Sequence, residues 1–202
     1  MRTAMLAILG CALVISPLTA QRPATTLIRD RARVTVAGTT VMIEHDAMVA
    51  RDTLLLGKAI PLGAWMMGTA VPARLTTSGD LRLDDKLIPA GSYALWVLVS
   101  PDGAVLAVSR DRARPRASYD RSLDVARVPL TLERGDSALV RFRTRFAVPQ
   151  HAAETMVMKY DKSHSQVIDR SVFATEPSGK PDLELVFEWQ WLKWSVPVRV
   201  VR

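Results

Sequence analysis

Three consecutive residues, Glu44, His45 and Asp46, carry side chains of the kinds that bind metals or transfer protons. The β-branched residues just before them predict a strand, and successive side chains of a strand point to opposite faces. Glu44 and Asp46 therefore share one face, and His45 lies on the other. Two carboxylates on one face offer a weak calcium site at best, and a surface turn is the competing interpretation. We predict no metal ligands here.

The sequence also lacks the residue patterns that catalysis by a nucleophile or a bound metal requires. Its three histidines have no zinc-like spacing, and its single cysteine, Cys11, lies near the N-terminus. It has no Gly-x-Ser-x-Gly stretch and no phosphate-binding glycine loop. Dispersed carboxylates such as Glu184 and Glu188 leave a hydrolase open as an alternative, because such pairs are recognised by their separation in space. We predict no catalytic residue and no cofactor.

The uncharged stretch IPLGAWMMGTAV, residues 60–71, gathers Trp65, Met66 and a second methionine between two glycines. Burial of side chains of this size contributes about 1.5–3 kcal/mol each. Thr69 offers the only side chain in the stretch that forms strong hydrogen bonds. We therefore predict either a piece of the core or the apolar lining of a groove.

A stacking platform for a sugar is a second use for the aromatic residues. Trp189 and Trp191 alternate along a predicted strand, which places them on one face about 7 Å apart. Tryptophans mostly fill the core in a domain without disulfides, and Trp194 is the better candidate for exposure. The candidate residues for contact with a ligand are Trp65, Met66, His45, Asp46, Tyr93 and Trp96.

Arginines dominate the formal net charge of +7. In the stretch ALVRFRTRFAV, Arg141, Arg143 and Arg145 alternate with mostly apolar residues, which predicts one buried and one solvated strand face. This arginine face (Arg141, Arg143 and Arg145) has a spacing suited to an acidic partner, and a solvated outer face is the competing interpretation. A basic balance indicates nucleic acid, a membrane surface or an acidic glycan.

The first twenty residues have the order of a secretory signal. Arg2 precedes an uncharged run, which Pro17 interrupts before the small residue Ala20. Cleavage after Ala20 predicts a secreted or periplasmic protein, which excludes nucleic acid as the expected partner. The run is shorter than the roughly 20 apolar residues of a membrane span, so an uncleaved signal is the only membrane attachment we consider.

We divide the chain into a signal at 1–20, a flexible leader at 21–32 and a single domain at 33–202. Apolar and polar residues alternate with a period of two through this domain, which predicts strands. The clearest unit covers residues 92–111, where two apolar runs flank Pro101-Asp102-Gly103, and we place this hairpin centrally in a sheet. Pro197 indicates an edge or a bulge in the last strand.

Many short strands and few helical patterns predict an all-β fold. We expect an antiparallel β-sandwich, jelly-roll-like or immunoglobulin-like. A helix is expected in the signal peptide, with at most short helices elsewhere.

The order of these motifs resembles an uncharacterised family of secreted bacterial proteins, domain of unknown function 2911. The resemblance rests on Pro-Leu-Gly-Ala-Trp at 61–65, Pro-Ala-Gly-Ser-Tyr at 89–93, Ser-Tyr-Asp at 118–120 and Ser-Val-Pro-Val at 195–198. It covers roughly residues 38–200. It implies a secreted or periplasmic β-sandwich-like domain without an established activity.

The chain departs from the family pattern where relatives carry polar groups. Members usually have a Trp-Arg pair followed by Gly-Ala-Asn-Glu, whereas Met66 stands here in the place of the arginine. Ala70 and Val71 stand in the places of the asparagine and the glutamate. The Arg-Pro pair usual after the early strand is also missing, and His45-Asp46 lies near that place. The resemblance implies that the polar function of this cluster in relatives is absent here.

The function predicted from these observations is that of an exported, non-catalytic domain. Its partner would be a small molecule, a glycan or an envelope protein. A carbohydrate-binding module that uses exposed tryptophans is the first alternative, and a hydrolase built from dispersed carboxylates is the second.

Overall fold

The computed structural model describes residues 28–49, 60, 62–69, 71–111, 118–147, 154–160, 166–173 and 183–201. The predicted signal peptide, residues 21–27 of the predicted leader, and Ala70, His151 and His164 lie outside these ranges. The described helices include none that is both long enough and apolar enough to cross a membrane.

Strands make up nearly all of the regular structure in the described ranges. They are β1 Ile28–Val36, β2 Thr39–Asp46, β3 Gly63–Met66, β4 Ala73–Thr77, β5 Leu81–Leu83, β6 Lys86–Ile88, β7 Gly91–Ser100, β8 Gly103–Ser109, β9 Asp124–Ala147, β10 Glu154–Tyr160, β11 Gln166–Phe173 and β12 Leu183–Val200. A 3₁₀ helix at Arg121–Leu123 is the one helical element of this part of the chain. The predicted all-β fold with at most short helices is confirmed.

The strands form one hydrogen-bonded path in the order β10-β11-β1-β2-β4-β7-β8-β9-β12-β5-β6, and β3 pairs with β7 outside this path. The pairings are antiparallel with one exception, because β1 and β11 run parallel over eight residue pairs from Ile28 and Gln166. The path therefore departs from a fully antiparallel sheet at that one position.

The long strand β9 connects two layers that face each other across one core. Its first part pairs with β8 and its later part with β12. The ring of Trp65 on β3 stacks on that of Trp189 on β12, with centroids 5.9 Å apart. Buried side chains from both layers belong to one cluster, which is the arrangement of a β-sandwich.

The β7–β8 hairpin occupies the middle of the strand order, as the sequence predicts. The turn at Pro101 and Asp102 joins the two strands, whose residues pair from Ala94 with Ser109 to Ser100 with Gly103. Most side chains of both strands are buried, on both faces of the sheet. Central placement explains why neither strand shows a polar face in the sequence.

The first strand begins at Ile28, so residues 28–32 of the predicted leader are in fact part of β1. This correction has a simple cause in the pattern of side chains. Asp30 occupies a fully buried position in line with Ala32 and Val34, while Arg31 and Arg33 are partly buried on the other face. A charged residue at an inward position hides the alternation that would otherwise reveal the strand.

Pro197 stands where β12 changes partner. β12 pairs with β9 as far as Ser195 and with β5 from Val198 onwards. Between these pairings, the carbonyl oxygen of Pro197 accepts a hydrogen bond of 2.9 Å from the backbone N–H of Asp84. A residue without an N–H fits this position, because it lies within neither continuous pairing.

Candidate functional site

The six candidate ligand-facing residues are divided between the two faces of the sheet. Trp65 lies in the main core, where it contacts the rings of Trp189, Trp194 and Phe142. Met66, the next residue along β3, packs instead against the smaller cluster that contains Trp96. The uncharged stretch thus supplies packing to both sides of the sheet, and the structure does not bring Trp65 and Met66 to one ligand.

Tyr93 and Trp96 on β7 are also buried. The hydroxyl of Tyr93 donates a hydrogen bond of 2.8 Å to the carbonyl oxygen of Pro89, which closes the Pro-Ala-Gly-Ser-Tyr segment on itself. Burial raises the pKa of Tyr93 above its ordinary value of 10.0. Its phenol therefore stays protonated at neutral pH and serves as a donor within the turn.

His45 lies on the core face of β2. Its ring makes an edge-on contact with the ring of Phe142, and the ring centroids are 4.8 Å apart. Its Nδ1 lies 2.9 Å from the carbonyl oxygen of Asp46, so Nδ1 carries the proton. Its Nε2 lies 3.2 Å from the hydroxyl of Thr144 on β9, which is fully buried. The pair of His45 and Thr144 thus joins β2 to β9 inside the core.

Asp46 lies at the end of β2, where it accepts a hydrogen bond of 3.0 Å from the hydroxyl of Thr69. Thr69 is the residue that the sequence singled out as the hydrogen-bonding group of the uncharged stretch. The contact brings the end of that stretch against β2. Two regions that are distant in sequence therefore meet beside Asp46.

A pocket of about 100 Å³ opens at this meeting point, and we name it the β2 pocket. Its lining comes from β1, β2, β4 and the residues just before β4: Arg29, Glu44, His45, Asp46, Val71, Pro72 and Arg74. The strand register explains the grouping, since Arg29 pairs with Asp46 and Glu44 pairs with Arg74 across neighbouring strands. Cross-strand partners point to the same face of a sheet.

Two of the places where the sequence departs from the family pattern line the β2 pocket. His45 and Asp46 lie near the place of the missing Arg-Pro pair, and Val71 stands in the place of the glutamate. The sequence shows these departures separately, 25 residues apart, and only the fold shows that they share one pocket.

The β2 pocket presents charges of both signs. Glu44 accepts a hydrogen bond of 2.9 Å from Nε of Arg31, its register partner on β1. Arg29 and Arg74 contribute positive charge, and Asp46 contributes negative charge. The part of the chain that the structure describes holds no group of three metal-ligating side chains. The arrangement is therefore suited to holding a charged ligand by hydrogen bonds.

A second pocket, of about 220 Å³, is lined by residues of β9 and β12, and we name it the β9–β12 pocket. Its lining residues are Gly135, Asp136, Leu139, Arg143, Arg145, Glu188 and Gln190. Two members of the arginine face, Arg143 and Arg145, lie in it. Both donate to Glu188, at distances between 2.6 and 3.2 Å. Glu188, one of the dispersed carboxylates noted in the sequence, is thus paired with two arginines.

The tryptophan platform predicted for a sugar is not formed. Trp189 is buried and Trp191 is 44% exposed, so the prediction that they share a face is wrong. Register shifts between β12 and β9 on both sides of Gln190 interrupt the alternation between them. The prediction that Trp194 is the more exposed residue is also wrong, because Trp194 is only 1% exposed.

A polar cluster that the sequence did not reveal lies on the Trp96 face of the β7–β8 hairpin. The hydroxyl of Tyr119 donates a hydrogen bond of 2.6 Å to Asp124, which also accepts one of 2.6 Å from Arg127. Tyr119 in turn lies 5.7 Å from the ring of Trp96. These residues hold the segment before β9 against the sheet. The spacing of Tyr119, Asp124 and Arg127 matches no general pattern, and among the motifs quoted for the family only Ser-Tyr-Asp at 118–120 contains one of these residues, Tyr119.

An all-β sandwich with two small charged pockets is the class that this geometry defines. The family described as "Protein of unknown function (DUF2911)" matches residues 28–168, about 70% of the chain. The protein belongs to this family, as the motif resemblance predicts. The match begins before the expected residue 38 and ends before the last strand, β12. No curated protein and no solved structure matches the chain.

Proposed function

We propose that the protein is an exported, non-catalytic domain that binds a small charged molecule in the β2 pocket. The observation that supports this most directly is the convergence of Arg29, Arg74, Glu44 and Asp46 around one opening. Residues from three strands, β1, β2 and β4, supply these charges, so the fold positions them. The function of the family is unknown, so membership of the family neither supports nor contradicts this proposal.

The ligand that fits best carries a carboxylate and an ammonium group on a short frame, as a small free amino acid does. Arg29 and Arg74 are donors for the carboxylate, and Asp46 is an acceptor for the ammonium group. The volume of about 100 Å³ is comparable to that of about three water molecules, which suits a ligand with few heavy atoms. An envelope protein that covers the opening is the competing occupant.

A nuclear magnetic resonance titration tests the ligand class. Glycine and alanine should shift the amide resonances of Asp46 and Arg74, and acetate or ethylamine alone should shift them less. Arg74→Gln should weaken glycine binding about tenfold or more, because a charge-assisted hydrogen bond contributes about 1.5–3 kcal/mol. Arg199→Gln, an exposed arginine on β12, is the matched control. Equal shifts of these resonances with all four probes, or no shift with any probe, would contradict the proposal.

Export and the absence of catalysis are tested separately. N-terminal sequencing of protein recovered from outside the cytoplasm should begin at Gln21, after cleavage of residues 1–20. A panel of ester, glycoside and peptide substrates should show no turnover. Turnover that disappears when His45 or one carboxylate is replaced would overturn the non-catalytic part of the proposal.

A further inference from the structure

The β9–β12 pocket has features of a second binding site, separate from the β2 pocket. We propose that it binds one acidic sugar unit, a pyranose ring with a carboxylate, from an anionic glycan. The proposal goes beyond the function assigned to the β2 pocket and uses none of its residues.

The floor of the pocket provides donors for a carboxylate. Arg143 and Arg145 each donate two N–H groups to Glu188. A guanidinium carries five N–H groups, so each arginine has others besides the two that Glu188 accepts. The three side chains together hold one net positive charge. The side chains of Arg143 and Arg145 are 34% and 27% exposed, so they also reach the solvent. A second anion can therefore meet the same pair of arginines.

The wall of the pocket is a large bulge in β9. Arg143 pairs with Glu188, and Arg134 pairs with Leu192. Between these two pairs β9 advances by nine residues, whereas β12 advances by only four. The extra length of β9 includes Gly135, Asp136 and Leu139, which line the pocket. Bulges that redirect side chains are common beside binding sites. The backbone thus forms a recess where a regular pairing would give a flat surface.

Backbone strain marks the same position on the opposite strand. Gln190 has a φ of 49°, in the left-handed region that residues other than glycine rarely adopt. Such conformations persist where the surrounding structure imposes them, and they concentrate at functional sites. Gln190, which carries this strain, also lines the pocket.

The remaining lining selects a sugar over a simple anion. Asp136 is exposed and negatively charged, so it repels a phosphate dianion but accepts hydrogen bonds from hydroxyl groups. The Gln190 amide both donates and accepts. A volume of about 220 Å³ equals that of about seven water molecules, which suits one six-membered ring with its substituents.

An exposed tryptophan follows the pocket residue Gln190 along β12. Trp191 follows Gln190 directly and is 44% exposed, with the guanidinium of Arg134 at 4.8 Å from its ring. The apolar face of a pyranose packs on indole rings of this kind, and the polar groups of the sugar then reach nearby donors and acceptors. In the proposed complex the carboxylate lies in the charged recess and the apolar face of the sugar ring contacts Trp191.

Isothermal titration calorimetry with the full mature chain tests the ligand class. Sodium D-glucuronate should bind about tenfold or more tightly than D-glucose, because only the former supplies the carboxylate. Glucuronate should also bind more tightly than acetate or inorganic phosphate, which lack the hydroxyl pattern. Acetate or phosphate binding as tightly as glucuronate would overturn the sugar assignment, and so would the absence of glucuronate binding.

Two exposed variants locate the site without disturbing the Glu188 ion pairs. Trp191→Ala should weaken glucuronate binding several-fold. Asp136→Asn should reduce the preference for glucuronate over inorganic phosphate several-fold, because it removes the charge that repels the dianion. Asp102→Asn in the β7–β8 turn should change neither. Glucuronate should shift the amide resonances of Gly135 and Gln190, and those of Asp46 and Arg74 should stay in place. Unchanged affinity in Trp191→Ala together with an unchanged preference in Asp136→Asn, or shifts confined to the β2 pocket, would overturn the proposal even if the β2 pocket binds its own ligand.

Discussion

Glu188 shows how one residue can tie two strands together through charge. Its oxygens receive four N–H groups from Arg143 and Arg145, and its side chain is 11% exposed. Burial alone raises the pKa of Glu188, but the hydrogen bonds and charges of Arg145 and Arg143 outweigh it and lower the pKa below 4.5. The folded protein therefore holds the charged form more strongly than the unfolded chain does.

This shift predicts a loss of stability in acid. A carboxyl group whose pKa is lower in the folded state contributes its full stabilisation above the unfolded pKa, near 4.5. That contribution disappears as the pH falls through the lower, folded pKa. Glu188→Gln should reduce the free energy of unfolding by about 1–3 kcal/mol at pH 7, and the difference from the parent protein should shrink at pH 2–3.

Urea unfolding at several pH values measures this effect. Glu133→Gln is the matched control, because Glu133 pairs with Lys193 at 2.7 Å but is 52% exposed. An exposed pair of this kind contributes about 0–1 kcal/mol, so the control should change stability little. A loss in Glu188→Gln that is equally large at every pH would contradict the electrostatic explanation.

His45 shows what sequence could and could not establish for a single residue. The alternation of β2 correctly separates His45 from Glu44, since His45 faces the core and Glu44 pairs with Arg31 on the other side. The partner of His45, however, is Thr144, 99 residues away. No local pattern identifies that contact, because it depends on how the two layers face each other.

At the scale of elements, the tight turns carry the clearest sequence signals. Ala37-Gly38 joins β1 and β2 with φ values of 47° and 81°. A two-residue turn with both φ values positive matches the twist of the flanking strands and favours Asn-Gly. Alanine at the first position keeps the turn but is strained in the left-handed region.

Ala37→Asn should therefore stabilise the protein. The expected gain is about 0.5–1 kcal/mol, since asparagine adopts the left-handed conformation more readily than alanine. Ala37→Val should have the opposite effect, because a β-branched side chain disfavours that conformation. Thermal unfolding of the three proteins measures both changes, and a higher melting temperature for the valine variant would show that the turn geometry is wrong.

The bulge in β9 and the segment around Tyr119 are elements that the sequence did not reveal. ALVRFRTRFAV reads as a regular amphipathic strand, and Phe142, Thr144 and Phe146 are indeed buried. Val140 is nevertheless 63% exposed, because the register between β9 and β12 shifts on its side of Arg143. A bulge of this size is decided by the partner strand, and a single-strand pattern does not contain that information.

At the scale of the whole molecule, the core depends on aromatic side chains that meet across the two layers. Trp65 from β3 contacts Trp189 and Trp194 from β12 and Phe142 from β9, with ring centroids 5.8–5.9 Å apart. The sandwich is thus held by contacts between residues more than 70 positions apart in sequence.

Trp65→Ala should destabilise the whole domain by about 3–5 kcal/mol, through lost burial and the cavity left between the layers. Trp191→Ala is the matched control, because the same substitution at an exposed tryptophan should change stability by about 0.5 kcal/mol or less. Chemical denaturation followed by circular dichroism measures both. Similar losses in the two variants would contradict the placement of Trp65 in the shared core.

The sequence by itself determined the strand content, the central β7–β8 hairpin, the turns and the family, because these depend on local periodicity and on short motifs. It also identified His45, Asp46 and the arginine face as polar residues of interest. The tertiary structure alone decided which of these residues share a pocket. It also decided that Trp194 is buried and Trp191 exposed, and that Glu188 pairs with both Arg143 and Arg145. The physical reason is that pockets and burial arise from the pairing and stacking of distant strands, and a shift in register changes them without changing the local pattern.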